Sequence, residues 1–168
     1  EKYQFHYVGL DLCYGNIPEY IKAEVLQKKE WIEKDSETIG KYLNAERFGN
    51  NKKRLFVGKS LGTSQIYACI TQGLITNKDI VILQTPIIEY EEIQNVLIKN
   101  KIKSLIVYGT RDNTIVKKKF KRIKTKENVQ VLEIENAGHV YEEDLNVDKA
   151  IENLRTVMTG IDKFLGSI

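Results

Sequence analysis

Short apolar runs alternate with amphipathic stretches along the whole chain, and this rhythm limits the fold more than any other feature. Phe5–Leu10, Arg54–Val57, Ile80–Leu83, Ser104–Tyr108 and Val129–Ile134 read as five strands. Their apolar residues are nearly continuous, which suits strands covered on both faces. A long helical stretch begins near Asn16 and Pro18, a suitable cap and first turn. Ile21, Val25, Ile32, Ile39 and Leu43 recur near helical spacing and predict its buried stripe, with Trp31 packing it onto the sheet. Asp35-Ser36 is a point at which it could divide into two helices. A further helix through Ile66, Ala68, Cys69 and Ile70 is predicted to end at Gly73. Another takes Ile88, Ile93, Val96 and Leu97, and a short basic one spans Val116–Ile123. The last helix shows Val147, Ile151, Leu154, Met158, Ile161 and Leu165 on one stripe. Strands alternating with helices imply βαβ units. The expected fold is therefore α/β, a mostly parallel sheet with helices on both faces. No linker or repeat divides residues 1–168, so a single domain is expected.

Composition narrows the function classes. The chain has 168 residues, 42% hydrophobic and 29% charged, enough apolar material for a core and too much for intrinsic disorder. No apolar run approaches the roughly twenty residues of a membrane span. The net charge of +3 is too small to call for nucleic acid. The basic run Lys117, Lys118, Lys119, Lys121, Arg122, Lys124 and Lys126 contains one aromatic, Phe120, and reads as a solvated helix face. Cys13 and Cys69 lie far apart, without CxxC spacing, and with only His6 and His139 they make no zinc pattern, so no metal or cofactor is expected. Two buried free thiols in a reducing cytoplasm is the reading, with one disulfide as the alternative. Glu1 to His6 do not resemble a signal peptide. There is also no initiator Met, so the expectation is a chain cut or trimmed at its start.

In a parallel α/β sheet, sites form beyond the carboxyl ends of the strands. Gly58-Lys59-Ser60-Leu61-Gly62 follows the second strand and opens a helix, the pattern of a nucleophile elbow. Gly58 and Gly62 are expected there because a side chain would collide with neighbouring backbone. Such a turn lifts the Ser60 Oγ above the sheet. It also sets the Leu61 N–H at a helix start, where it can meet developing negative charge. Gly109-Thr110-Arg111-Asp112 follows the fourth strand, and Asn136-Ala137-Gly138-His139 follows the fifth.

Ser, then Asp, then His, each just past a strand, resembles the α/β-hydrolase fold, most closely from Arg54 to His139. The resemblance implies Ser60 as nucleophile, His139 as general base and acid, Asp112 as the carboxylate that orients it, and Leu61 as an oxyanion-hole donor. The chemistry of the residues agrees. A serine hydroxyl needs an adjacent base, and an imidazole suits that task near neutrality. A carboxylate fixes the imidazole tautomer and stabilises its charged form. His6 lies inside a predicted strand, which leaves His139. Among rival carboxylates, Asp79 precedes its strand, Glu133 and Glu135 come before the His139 loop, and Asp11 occupies a position where this family has a structural Asp. Asn113 and Thr114 are candidates to orient Asp112.

The resemblance also implies a strand and an oxyanion loop ahead of the region that begins here. Tyr7 to Gly15 resembles the strand that follows that loop. The expectation is that a segment before Glu1 of about 30–40 residues, a strand, loop and helix at ordinary lengths, or a second polypeptide, completes the sheet. Between Leu83 and Ser104 there is room for one helix and no lid, which points to an open pocket and a small or exposed acyl substrate. The expected activity is a serine hydrolase cleaving a carboxylic ester or thioester through an acyl-enzyme. A peptidase or amidase, and a non-catalytic α/β-hydrolase-like binding module, are the alternatives.

Overall fold

The computed structural model describes residues 8–10, 14–44, 53–87, 90–113, 126–143 and 145–168. After a 3-10 turn at Tyr14–Asn16, the elements are α1 (Pro18–Lys22), α2 (Val25–Leu43), β1 (Leu55–Lys59), α3 (Leu61–Thr71), β2 (Ile80–Gln84), α4 (Tyr90–Lys99), β3 (Lys103–Gly109), β4 (Val129–Ile134) and α5 (Val147–Gly166). The described strands form one parallel sheet in the order β1-β2-β3-β4. The last four strands predicted from sequence are therefore present and parallel. Of the first, Phe5, His6 and Tyr7 lie outside the described residues, and Val8 to Leu10 carry no regular structure. Its pairing with β1 thus lies outside the described residues, as do Asp11, Cys13, Thr114 and the basic helix Val116–Ile123.

The apolar continuity of the strands is explained by two cores. Val81, Leu83, Ile106 and Tyr108 point to the side covered by α2, α3 and α4, where Ile39, Ile66, Ile70, Ile93 and Leu97 meet them. Ile80, Ile82, Leu105 and Val107 point the other way, against Val157 and Phe164 of α5. Each such aliphatic or aromatic side chain, fully buried, contributes about 1.5–3 kcal/mol. At the foot of the sheet, Arg54 donates from Nε and Nη2 to Asp79 at 2.8 and 2.9 Å and tethers β1 to the turn before β2. That places Asp79 at the end of the sheet away from Ser60. Gly73, at φ +74, closes α3 as expected: the N–H groups of Gly73 and Leu74 turn back to the carbonyls of Ile70 and Cys69, at 3.0 and 2.9 Å.

Two helix readings are corrected. The break in the first helical stretch falls at Ala23-Glu24, where the Glu24 and Gln27 side chains form a capping box, and not at Asp35-Ser36. Ser36 is fully buried inside α2, its Oγ donating to the Glu33 carbonyl at 2.6 Å, whereas Ile21 of the predicted stripe is exposed. Trp31 packs near Tyr20 and stays partly exposed rather than sealing the sheet. In α5, Val147, Ile151, Leu154 and Met158 of the predicted stripe are exposed, while its last members Ile161 and Leu165 pack against the core beside the buried Val157 and Phe164. One inward position is a glycine: Gly160 lies directly against the end of the Leu132 side chain of β4, which an added Cβ would have to displace. Val147, Ile151, Leu154 and Met158 are left on the flank opposite Gly160. On β1, Val57 is 55% exposed, while its register partner Ile82 is 0% exposed. On this side α5 packs against β4 and β3, and Leu55 of β1 joins the same core while Val57 does not. No described helix is long and apolar enough to cross a membrane.

Candidate active site

The register carries the strand ends to one rim. Ser60 follows β1 directly, and its N–H donates to the Gln84 carbonyl at 2.9 Å, one rung beyond the β1–β2 pairing. Its backbone sits at φ 50 and ψ −117, a region that residues with a Cβ enter only under constraint. Gly58 supplies part of that constraint. A Cβ there would lie 2.6 Å from the Gly62 carbonyl oxygen and 2.7 Å from Ile66 Cδ1. Gly62 does not behave as expected. A Cβ at that position would meet nothing within 4 Å, so it is the backbone of Gly62, and not its missing side chain, that crowds the elbow.

Asp112 and His139 come from two loops clamped together. Thr110 N–H donates to the Ile134 carbonyl and Arg111 N–H to the Ala137 carbonyl, both at 2.9 Å, while Asn136 N–H donates to Thr110 Oγ1 at 2.8 Å. Gly109 lies so close to the Ala137 and Gly138 carbonyls that no side chain fits. The His139 loop is closed on its far side by Glu142. Its carbonyl accepts Gly138 N–H and its carboxylate accepts Val140 N–H, each at 2.8 Å.

The three side chains meet in line. His139 Nδ1 is 2.8 Å from Asp112 Oδ2, and His139 Nε2 is 2.9 Å from Ser60 Oγ. The Asp112 side chain is fully buried and that of His139 about one third exposed, so the carboxylate faces only protein and the imidazole reaches the surface. With a carboxylate on Nδ1, that nitrogen carries the hydrogen, and Nε2 presents its lone pair to the Ser60 hydroxyl. Leu61 is the first residue of α3, where an N–H has no acceptor within its own helix. Beneath His139, Tyr141 is buried, donates from its hydroxyl to Gln84 Oε1 at 3.3 Å, and carries the Lys59 Nζ 5.3 Å from its ring centre. Burial, and then the nearby Asp112 charge, raise the Tyr141 phenol well above its ordinary range.

The structure thus brings together Ser60, Asp112, His139 and the Leu61 backbone, the residues singled out from sequence. Of the rival carboxylates, Glu133 of β4 instead accepts the hydroxyl of Tyr108 from β3. Thr63 and Glu142 have no recognisable motif and only their contacts reveal them, while Thr110 stands in the Gly109–Asp112 stretch already singled out, its clamping role shown only by its contacts. Cys69 is a buried free thiol whose pKa burial pushes up to about 11. Among the described residues no group of three or more His, Cys, Asp or Glu is placed to hold a metal.

Similar solved structures agree with this architecture. A predicted CIB-like hydrolase from Thermoplasma acidophilum matches with a TM-score of 0.53 at 18% identity, over 79% of this chain and 59% of that one. A dienelactone hydrolase-like promiscuous phosphotriesterase from metagenomic libraries matches with a TM-score of 0.56 at 15% identity, over 84% and 63%. An uncharacterized protein from Bacillus cereus ATCC 10987 matches with a TM-score of 0.53 at 18% identity, over 83% and 45%. The chain has an α/β-hydrolase-type fold. It spans 45% to 63% of the length of these structures. No protein-family model and no curated protein matches it.

Proposed function

We propose that this protein is a serine hydrolase that cleaves a carboxylic ester or thioester through an acyl-enzyme. The observation that carries the reading is the unbroken line Ser60 Oγ, His139 imidazole, buried Asp112 carboxylate, at 2.9 and 2.8 Å. In this reading Ser60 Oγ attacks the substrate carbonyl carbon as His139 Nε2 takes its proton. Negative charge collects on the carbonyl oxygen, where the Leu61 N–H and the start of α3 meet it. The imidazolium, held by Asp112, then gives its proton to the departing alkoxide or thiolate. Water repeats the sequence to release the acid and free serine.

A small acyl substrate fits the surroundings. Among the described residues between β2 and β3 there is one helix, α4, and no inserted lid. Val140, next to His139, and Ile87, just past β2, are apolar and 57% and 38% exposed, ready to line an acyl chain. The open face at Val57 supports a second part of the reading. A further strand and helix, from this polypeptide or another, would cover β1 and supply a second oxyanion donor. The test is a panel of short- and long-chain esters, thioesters and aminoacyl amides, each run against wild type and Ser60→Ala. Ser60-dependent turnover of esters or thioesters is expected. Preference for the amides would move the assignment to a peptidase or amidase. Turnover unchanged in Ser60→Ala would reject it.

A further inference from the structure

Ser60 has a task that conflicts with its position. As the N-cap of α3, a serine would ordinarily turn its hydroxyl onto the helix's own N–H groups. The Ser60 side chain makes no such bond, since its Oγ meets His139. Another residue must therefore share with Gly58 the task of holding the elbow in its constrained conformation.

That residue is Thr63, which is fully buried. Its N–H donates to the Ser60 carbonyl at 2.9 Å, and its Oγ1 donates to the same oxygen at 2.5 Å. The same hydroxyl accepts the Ile87 N–H at 3.4 Å, from the loop after β2. The Ser60 carbonyl and the Leu61 N–H belong to one peptide group, which is planar and trans. Within such a group the N–H points opposite to the carbonyl. Two donors from Thr63 fix the carbonyl towards the helix interior, so they also fix the Leu61 N–H outwards, over the rim where an acyl oxygen would lie.

We infer that Thr63 is a positioning residue that aims the oxyanion donor through the Ser60–Leu61 peptide and ties the elbow to the Ile87 loop. This rests on the serine acyl-transfer reading. Loss of the hydroxyl leaves the Ser60 carbonyl one donor, and the peptide can rock. Complete loss of an oxyanion donor costs about 10²–10³ in kcat, so a loosened one should cost less, roughly tenfold.

The experiment uses Thr63→Val, Thr63→Ala and Thr63→Ser with the best ester found in the panel. Folding is checked by circular dichroism. Thr63→Val and Thr63→Ala should lower kcat roughly tenfold with KM within about twofold, because the donor acts on charge that develops only in the transition state. Binding of a trifluoromethyl ketone, whose adduct carries an oxyanion, should weaken in proportion. Thr63→Ser should stay within about threefold of wild type. Should Thr63→Val fail to fold, Thr63→Ala against Thr63→Ser makes the same comparison. Folded variants without the hydroxyl but with wild-type kcat would overturn the inference, as would a Thr63→Ser variant as slow as Thr63→Ala. Wild-type protein inert towards every ester and amide would instead reject the serine hydrolase reading, and the inference with it.

Discussion

The elbow at Ser60 and the loops that carry Asp112 and His139 reach the same rim by opposite means. The elbow is local. Gly58 to Thr63 contains nearly all that shapes it, namely one glycine with no room for a side chain, one residue at positive φ, and a threonine three positions on. The acid–base pair is assembled across a gap of sequence. Gly109, Thr110 and Arg111 dock onto Ile134, Asn136 and Ala137, and the 2.8 Å contact between Asp112 and His139 depends on that docking. A local device is written as a motif, whereas a docked pair is written mainly as packing. Damage should therefore spread differently from the two.

The largest effect should come from the reacting groups, where the two regions act as one. Ser60→Ala and His139→Ala should each reduce kcat by about 10⁴–10⁶, and the double variant should be little worse, because the members of such a unit are not additive. Asp112→Asn should cost somewhat less. Steady-state kinetics with an ester checks this. Additive losses would mean that the 2.9 Å contact between Ser60 and His139 has no functional meaning.

Next come the glycines, which separate the regions by stability. Gly109→Ala would drive a methyl into the Ala137 carbonyl, and Gly58→Ala would drive one into the Gly62 carbonyl and Ile66. Each should destabilise by about 1–3 kcal/mol or more, with Gly109→Ala the worse, since both of its obstacles are backbone. Gly62→Ala meets open space in the first turn of α3 and should be neutral or stabilise by up to about 1 kcal/mol. Urea unfolding of the three variants ranks them. A Gly62→Ala variant as damaged as Gly58→Ala would contradict the account of the elbow.

Thr110→Val should follow. It removes the acceptor of the exposed Asn136 N–H and should cost about 0.5–1.5 kcal/mol. It should also lower kcat, which Thr110→Ser restores. The smallest effect is a pH dependence from beneath the His139 loop. The buried Tyr141 phenol keeps its proton in the folded state at pH values where an unfolded tyrosine, with a pKa of about 10, loses it. Above that pH the unfolded state binds fewer protons, so stability falls as pH rises. Thermal melts of wild type and Tyr141→Phe between pH 8 and 11 check it, with the variant losing less.

The contrast between local and docked structure also explains what could be read in the sequence. The central strands β2 and β3 were legible because strands buried on both faces must be apolar almost throughout, β1 and β4 because their apolar runs are bounded by turns, and Ser60, Asp112 and His139 because each follows a strand. The buried face of α5 was not. Its inward positions include Gly160, which packs by allowing close approach, while the large residues Ile151, Leu154 and Met158 turn outward. Gly62 was misread for a related reason, since a motif records which residue is present and not which neighbour needs it. Thr63 is an ordinary letter in an ordinary helix, and Thr110 was visible only as a neighbour of Asp112; their roles are marked by their hydrogen-bond partners alone.

The central claim is that Ser60 is a nucleophile activated by His139 and Asp112. A fluorophosphonate tests it most directly, because the reagent reports covalent attack without requiring the natural substrate. Intact-protein mass spectrometry should show one adduct, and digestion should place it on the peptide containing Ser60. Labelling should be abolished in Ser60→Ala and greatly slowed in His139→Ala. Folded wild-type protein that takes up no label, or that takes it up equally after Ser60→Ala, would contradict the account.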